Sequence, residues 1–279
     1  MEIPPEILDQ NVVEAHELSK ADIILVDMEK PKTDLLLEFS NDIKDNLVIL
    51  LNFTHGIYRY PRLIRKFIER GFVRSWAPID SGDVLLIRRS FTDNFLKKTI
   101  NVYRESFIHG PNPVHYNTAY MLYILGKFVL KHREGVIVEV GTGRGFSTLW
   151  LTHVAMEYGS KVISLDSRCD RIEYTRNIME DLGLTAYAEL LCRDARNNTY
   201  EGYNIIYAFI DGKKDEYHLY LKSIEPYLDN RALVVAHNTL SSTHEMIPYI
   251  ERVYGVEYES LTIQSDPAGI TLSIYKPRE

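Results

Sequence analysis

Several features are scarce in this chain of 279 residues, and each scarcity excludes a class of protein. The two cysteines, Cys169 and Cys192, have neither metal-ligand spacing nor a disulfide framework around them, which fits a reducing compartment. No apolar run approaches the length of a membrane span, and the acidic sequence MEIPPEILDQ is unlike a secretory signal. We therefore expect a cytoplasmic protein with no membrane association.

Basic residues are also fewer than acidic ones: the chain contains 32 Lys and Arg and 39 Asp and Glu, which gives a net charge of -7. The basic residues are scattered along the chain rather than collected in a stripe, so we expect no nucleic-acid partner. The rest of the composition, 45% hydrophobic and 25% charged, is that of an ordinary globular protein. A small molecule is the expected partner.

Short apolar runs alternate with amphipathic helical patterns from Gly135 onward. The runs are VIVEV, KVISLD, AELLC, NIIYAFID and ALVVAHN. Their near-continuous hydrophobicity predicts a doubly wound, mostly parallel Rossmann-like α/β sheet with helices on both faces. Two further runs, 256–264 and 270–276, are joined by SDPAG and predict a C-terminal antiparallel hairpin. We assign residues 96–279 to this domain.

Residues 1–95 are predicted to form a smaller α/β domain, with strands and helices alternating over 21–89. Its strands ADIILVD, NLVILLNFT and GDVLLIRR resemble NIIYAFID, ALVVAHNT and GITLSIYK, in the same order. Two interpretations stay open. Any two βαβ segments share such a pattern, or the domain is a degenerate copy of the C-terminal half of the other sheet. Without a glycine turn, it would serve for packing, for homodimer formation or to cover the active site.

The stretch GVIVEVGTGRGFSTLWL, residues 135–151, combines a buried strand, a glycine turn and the start of a helix. Gly141, Gly143 and Gly145 let the backbone approach a ligand at the carboxyl end of the strand. A dinucleotide fingerprint would need glycine where Phe146 stands, which weakens an NAD site. The pattern E-x-G-x-G-x-G is instead the turn of class I methyltransferases. These bind S-adenosylmethionine, whose positive end Glu139 would attract.

Two carboxylates at the ends of the next strands suit the same ligand. Asp166 ends KVISLD, where a carboxylate can accept hydrogen bonds from both ribose hydroxyls. Asp194, in CRDAR, follows the next strand, where its side chain or the neighbouring backbone can meet adenine. A helix cap or a solvated turn is the alternative for either residue.

Residues 105–279 resemble the small O-methyltransferases of the catechol and caffeoyl-CoA type. The matching segments are VEVGTGRGFSTLWL, the acidic end of KVISLD, CRDAR, FIDGKKDEYHLYL and ALVVAHNTL. The resemblance implies S-adenosylmethionine as cofactor. It also implies that Ser147 contacts the methionine carboxylate and that a segment containing Asn117 and Thr118 closes over the cofactor.

The run FIDGKKDEY contains the family's D-x-x-K-x-x-Y pattern, here Asp211, Lys214 and Tyr217. The resemblance implies that Asp211 binds a divalent metal and that Lys214 is the general base; an exposed helix lysine is the alternative. The family has Asp-Asn at the end of the following strand, where this chain has His237 and Asn238. If Asp211, His237 and Asn238 hold a metal, imidazole favours a Mn-like or Zn-like ion over Mg. Alternatively, His237 is a metal-free general base.

The predicted function is S-adenosylmethionine-dependent methylation of a small molecule, on oxygen. Two other functions stay open: a cofactor-binding protein that has lost catalysis, and a nicotinamide-dependent dehydrogenase on the same fold. The loops HGPNPVHY and STHEMIPY carry no recognisable specificity code for the acceptor.

Overall fold

The computed structural model divides the chain into two compact units, Met1–Thr92 and Asp93–Glu279. It describes residues 23–27, 48–52, 72–75, 84–88 and 93–277. Each unit is described by itself below.

The N-terminal unit contains a four-stranded sheet. Its strands are β1 (Ile23–Asp27), β2 (Val48–Asn52), β3 (Phe72–Ser75) and β4 (Val84–Arg88). The first two strands are parallel, and β4 is antiparallel to both β2 and β3. Three of these strands were predicted from their apolar runs. The short β3 was not, and the helices predicted between the strands lie outside the described residues.

The C-terminal unit begins with two helices, α1 (Asp93–His109) and α2 (Tyr116–Leu130). A sheet of seven strands follows, in the order β10-β11-β9-β8-β5-β6-β7. The strands are β5 (Val136–Val140), β6 (Val162–Asp166), β7 (Ala188–Cys192), β8 (Ile205–Ile210), β9 (Leu228–His237), β10 (Tyr258–Ile263) and β11 (Ile270–Tyr275). The other helices are α3 (Phe146–Glu157), α4 (Cys169–Leu182), α5 (Tyr217–Ile224) and α6 (Ile247–Val253).

The predicted doubly wound sheet is confirmed. Strands β5 to β9 are mutually parallel, while β11 is antiparallel to both β9 and β10. Every residue of β8 is buried, because helices cover both faces of a central parallel strand. The carboxyl ends of the parallel strands therefore meet along one edge, which is where ligands bind in open α/β sheets.

The two sheets share a topology. The N-terminal order β1-β2-β4-β3 matches β8-β9-β11-β10 strand for strand, with the same parallel and antiparallel pairs. Asp27 pairs with Asn52 at the end of β1 and β2. Ile210 pairs with Ala236 at the corresponding place in the other sheet, immediately before Asp211 and His237. The proposed duplication remains a prediction, which this shared order supports.

The prediction that the two cysteines form no disulfide is wrong. Cys169 and Cys192 are joined, with their Cα atoms 5.0 Å apart, within the range that a disulfide spans. The physical reason is strand pairing: Asp166 lies beside Cys192 in the β6/β7 ladder, and Cys169 opens the helix that follows β6. The disulfide removes the support that the cysteines gave to a reducing compartment.

Within the described part of the chain, no helix combines the length and the apolar character needed to cross a membrane.

Candidate active site

A cavity of about 970 Å³ opens at the carboxyl edge of the large sheet. We call its two flanks the turn side and the cluster side. The turn side comprises residues 141–147 with Asp166 and Asp194, and the cluster side comprises Asp211, Lys214, His237, Asn238 and Asp266. Most of these residues line the cavity. The geometry of each flank decides what the cavity can bind.

The glycine turn depends on backbone conformations that favour glycine. Gly141, Gly143 and Gly145 have φ values of 100°, 54° and 82°, all in the left-handed region. A Cβ on Gly141 would lie 2.4 Å from the carbonyl oxygen of Asp211. A Cβ on Gly145 would lie 2.5 Å from Thr175 Cγ2. The turn therefore fits closely against its neighbours, and α3 starts directly after it.

Asp166 lies at the predicted end of β6, is buried, and lines the cavity. Its Oδ2 accepts a hydrogen bond from the Gly143 backbone at 2.9 Å, and its Oδ1 accepts one from the Arg168 backbone at 2.9 Å. Arg171 approaches Oδ2 at 3.5 Å. The carboxylate is thus fixed beside the glycine turn.

Asp194 also lines the cavity but is more exposed. Its carboxylate accepts hydrogen bonds from the backbone and the guanidinium of Arg196, which lower its pKa. The backbone bond caps the short helical turn Ala195–Asn197. Asp194 is therefore both the cap of this helical turn, which was the alternative interpretation, and a residue of the cavity wall.

The structure departs from the role predicted for Glu139. Its side chain is fully buried and is absent from the cavity lining. The carboxylate accepts hydrogen bonds of 2.6 Å from each of Ser147, Thr148 and Ser164. Burial raises the pKa of Glu139 to about 7, although those hydrogen bonds oppose the shift. Glu139 thus fixes the start of α3. Ser147 lines the cavity, and its hydroxyl donates a hydrogen bond to Glu139.

On the cluster side, Lys214 is fully hydrogen-bonded. Its Nζ lies 2.9 Å from Asp211 Oδ1, 3.1 Å from the Gly212 carbonyl oxygen and 3.1 Å from the Tyr217 hydroxyl. An ammonium group has three protons to donate, and each has an acceptor here. The predicted Asp-Lys-Tyr pattern thus comes together in space.

His237 lies between two carboxylates at the end of β9. Its Nδ1 is 3.3 Å from Asp211 Oδ1, and its Nε2 is 3.0 Å from Asp266 Oδ2. Burial alone would lower the pKa of His237, but Asp211 and Asp266 outweigh burial and raise it to about 9. The imidazole is therefore protonated at neutral pH.

Asp266 is the residue that sequence reasoning missed. It lies in the β10–β11 loop, is buried, and lines the cavity. Its Oδ1 accepts hydrogen bonds from the backbones of Ala268 and Gly269 at 2.8 and 3.0 Å. In the sequence it stands in SDPAG, where an aspartate is an ordinary turn residue. Only its position next to His237 distinguishes it.

Asn117 and Thr118 do not lie on the cavity lining, in contrast to the predicted contact with the cofactor. Both are buried in the first turn of α2. The Thr118 hydroxyl donates to Asp266 Oδ2 at 2.5 Å and lies 2.9 Å from Ser265 Oγ. Thr118 thus belongs to the support of the cluster side.

The predicted metal ligands do not fit a divalent ion. Both ring nitrogens of His237 and the Oδ1 atom of Asp211 are already engaged with protein partners. Asn238 lines the cavity, but its one amide oxygen is too small a ligand set for a divalent ion. Among the described residues, no group of three or more His, Cys, Asp or Glu side chains could hold a metal ion.

An apolar wall completes the cavity. Tyr103 and Phe107 from α1, Pro113 and Val114 from the loop before α2, and Phe146 all line it. The Tyr103 and Phe146 rings are 4.9 Å apart between centroids. This wall suits a flat apolar ligand.

Comparisons with known proteins agree with this fold. Residues 138–239 match the sequence model of a family described as a methyltransferase domain. A search of curated proteins found no match.

Solved structures with the same fold include an O-methyltransferase from Bacillus cereus in complex with SAH, at 17% identity and TM-score 0.56, covering 67% of this chain and 93% of that one. The O-methyltransferase TomG from Streptomyces achromogenes, in complex with SAM, is 16% identical at TM-score 0.57, covering 67% and 92%. An SAH-bound methyltransferase from Podospora anserina is 12% identical at TM-score 0.56, covering 81% and 99%.

The family match falls on the glycine turn and on the strands that carry Asp166, Asp211 and His237. Residues 138–239 therefore match a methyltransferase domain, and the C-terminal unit shares the fold of these solved methyltransferases.

Proposed function

We propose that this protein methylates a hydroxyl oxygen of a small, flat acceptor of phenol type. The observation that carries the proposal is one cavity that is lined by the glycine turn and Asp166, by the Asp211, Lys214 and His237 cluster, and by an aromatic wall. The similarity to the Bacillus cereus and Streptomyces achromogenes O-methyltransferases supports transfer to oxygen.

The turn side would hold the cofactor. S-adenosylmethionine, when bound, supplies an electrophilic methyl group whose bond to sulfur breaks as the bond to the acceptor oxygen forms. Gly141 and Gly143 line the cavity and would bring the backbone of the turn close to the ligand, and Asp166 would accept hydrogen bonds from the ribose hydroxyls. Asp194 and its backbone would meet the adenine, and Ser147 the methionine end. Glu139 would act indirectly, because its carboxylate fixes the Ser147 side chain.

The cluster side would stabilise the acceptor oxygen as an anion rather than remove its proton. Lys214 is an ammonium with three hydrogen bonds, and His237 is protonated, so neither has a lone pair to accept a proton. A cation placed at a developing oxyanion is a strong source of catalysis. Lys214 would exchange one of its hydrogen bonds for the acceptor oxygen, while His237 holds Asp211 in place. The acceptor proton leaves to solvent, which favours hydroxyls that ionise near neutral pH.

A calorimetric titration tests cofactor choice, and a pair of variants tests catalysis. We expect binding of S-adenosylmethionine and no binding of NAD. Lys214→Ala should lower kcat/KM by about 100-fold with a phenolic acceptor, as for the loss of one oxyanion donor. Lys213→Ala is the matched control: this neighbour is exposed and pairs with Glu216, so its loss should matter little.

The ionised acceptor is tested with a series of substituted phenols. The midpoint of the pH–rate profile should follow the pKa of each phenol. A midpoint that stays fixed across the series would show that an enzyme group removes the proton, in contradiction to this mechanism. Cofactor binding without transfer to any acceptor would favour a protein that has lost catalysis, and NAD binding would favour a dehydrogenase.

The remaining expectations are also proposals. The N-terminal unit is a degenerate copy of the β8–β11 half-sheet that holds no cofactor of its own, and the protein is a homodimer with no nucleic-acid partner. Sedimentation and a cofactor stoichiometry of one per chain test these points. A cytoplasmic location predicts that Cys169 and Cys192 are found as free thiols when cells are lysed into an alkylating reagent, and a fully protected pair would contradict it.

A further inference from the structure

The cluster side carries an arrangement that the resemblance to metal-dependent O-methyltransferases does not explain. Its charged groups follow one another in a row: Lys214, Asp211, His237 and Asp266, with alternating positive and negative groups. The successive contacts are 2.9, 3.3 and 3.0 Å. Each carboxylate is thus flanked by a protein cation.

We propose that this row replaces the divalent cation of the acceptor site, and that Asp266 is the positioning residue that completes it. The inference deepens the proposed function, because it concerns the same cavity. Asp266 reaches the site from the β10–β11 loop and gives His237 a second carboxylate partner at Nε2. A ring that is held at both nitrogens has no lone pair free for a metal.

The support of Asp266 shows that its contact with His237 is built into the fold. Two backbone amides bind its Oδ1, which leaves Oδ2 for His237 and Thr118. Asp266 and His237 are only 4% and 6% exposed, so water does not compete strongly for their hydrogen bond. A buried charge that lost this partner would be costly, which makes the pair interdependent.

The row also explains why histidine can stand where the resemblance predicts aspartate. An aspartate at position 237 would face Asp211 and Asp266 with no cation between them, and three close carboxylates would repel one another unless a metal bound. With His237 the positive charge is part of the chain. The acceptor site therefore keeps its cation in the absence of any dissociable ion.

The test combines metal binding, activity and a spectroscopic readout on the full chain. Titration of the purified protein with Mn²⁺, Zn²⁺ and Mg²⁺ should show no stoichiometric binding in the cavity, and methyl transfer should persist in a chelator. Stoichiometric Mn²⁺ or Zn²⁺ binding that disappears in Asp211→Ala would overturn the proposal. This result does not depend on activity, so it separates failure here from failure of the proposed function.

Asp266→Asn tests the positioning role. The change removes the charge that faces His237 Nε2, so the nitrogen chemical shifts of the His237 ring should move, and kcat/KM should fall by about 10- to 100-fold, as for carboxylates that orient a functional histidine. Cofactor affinity should stay unchanged. Asp229→Asn, at the opposite end of β9, is the control and should leave both readouts as in the parent. Unchanged His237 resonances in Asp266→Asn would refute the role.

A double change offers the converse test. His237→Asp combined with Asp266→Asn removes the imidazole between the two carboxylates and leaves oxygen ligands at Asp211, position 237 and Asn238. This variant should acquire Mg²⁺ or Mn²⁺ binding that the parent lacks. If it binds no metal while remaining folded by circular dichroism, the interpretation of the row as a replacement for the cation is wrong.

Discussion

The turn side and the cluster side of the cavity are held together in different ways. The contacts of the turn side join residues close in sequence: Ser147 to Glu139 across 8 positions, and Gly143 to Asp166 across 23. The cluster side has one local contact, Lys214 to Asp211 across 3 positions, but adds longer connections, 29 positions from His237 to Asp266 and 148 from Thr118 to Asp266. A local motif therefore specifies the first flank, whereas the second also needs the completed sheet and α2.

The strongest test of this contrast is Gly141→Ala, because Gly141 is where the two flanks touch. The new Cβ would meet the Asp211 carbonyl oxygen at 2.4 Å, with φ at +100°. We expect the free energy of unfolding to fall by about 2–5 kcal/mol, from the left-handed backbone and the overpacking together. Denaturant titration measures it.

Gly159→Ala is the matched control for Gly141→Ala. It has φ +65° but nothing within 4 Å of the new Cβ, so only the backbone contribution, about 1–2 kcal/mol, should be lost. Equal losses in the two variants would show that the flanks are not tightly fitted at this point.

A smaller effect is expected from the buried carboxyl of the turn side. Burial raises the pKa of Glu139 to about 7 from 4.5, so in that pH window the folded state holds a proton that the unfolded chain has lost. The free energy of unfolding should therefore fall as pH rises through the window, by roughly 3 kcal/mol in total, and level off above it.

Glu139→Gln should remove that part of the pH dependence, as measured by denaturant titrations from pH 4.5 to 8. Glu180→Gln, a change on the exposed surface, controls for the altered net charge. If the free energy of unfolding changed with pH in the same way in the parent and in Glu139→Gln, Glu139 would not hold a proton in the folded state at these pH values.

The smallest effects are expected on cofactor affinity, where Asp166 and Asp194 of the turn side should differ. Asp166→Ala should weaken S-adenosylmethionine binding by about 10- to 100-fold, the value of a charge-assisted hydrogen bond in a buried site. Asp194→Ala should weaken it less than fivefold, since exposed charged groups contribute roughly 1 kcal/mol or less. Calorimetry gives both affinities, with the exposed Asp170→Ala as control. A larger loss at Asp194 than at Asp166 would reverse the assignment.

Much of the fold and of the turn side could be predicted from the sequence. Continuous apolar strands, the spacing of the glycines and an acid at the end of β6 are local signals, and the structure places each where it was expected. Glu139 shows the limit even there. Its position in the motif was informative, but the direction of its side chain depends on hydroxyls from α3 and β6 that surround it.

The contact of Asp266 with the cluster side and the disulfide could not be predicted, because both arise from strand order. Asp266 reaches His237 only because β11 lies beside β9, and Cys192 reaches Cys169 only because β6 pairs with β7. In the sequence, one is a turn aspartate and the others are isolated cysteines. Long-range pairing leaves no mark on the residues themselves.

The position of β11 has a consequence for biosynthesis. This strand is translated after β10, yet it lies between β10 and β9 in the finished sheet. In a nascent chain that has emerged only as far as β10, one edge of β9 is therefore unpaired. An unpaired strand edge can pair with another chain. A premature stop codon before Ile270 would leave that edge open permanently. Such a product should be cleared by proteases or aggregate, even though its glycine turn and the ends of β5 to β8 were synthesised intact.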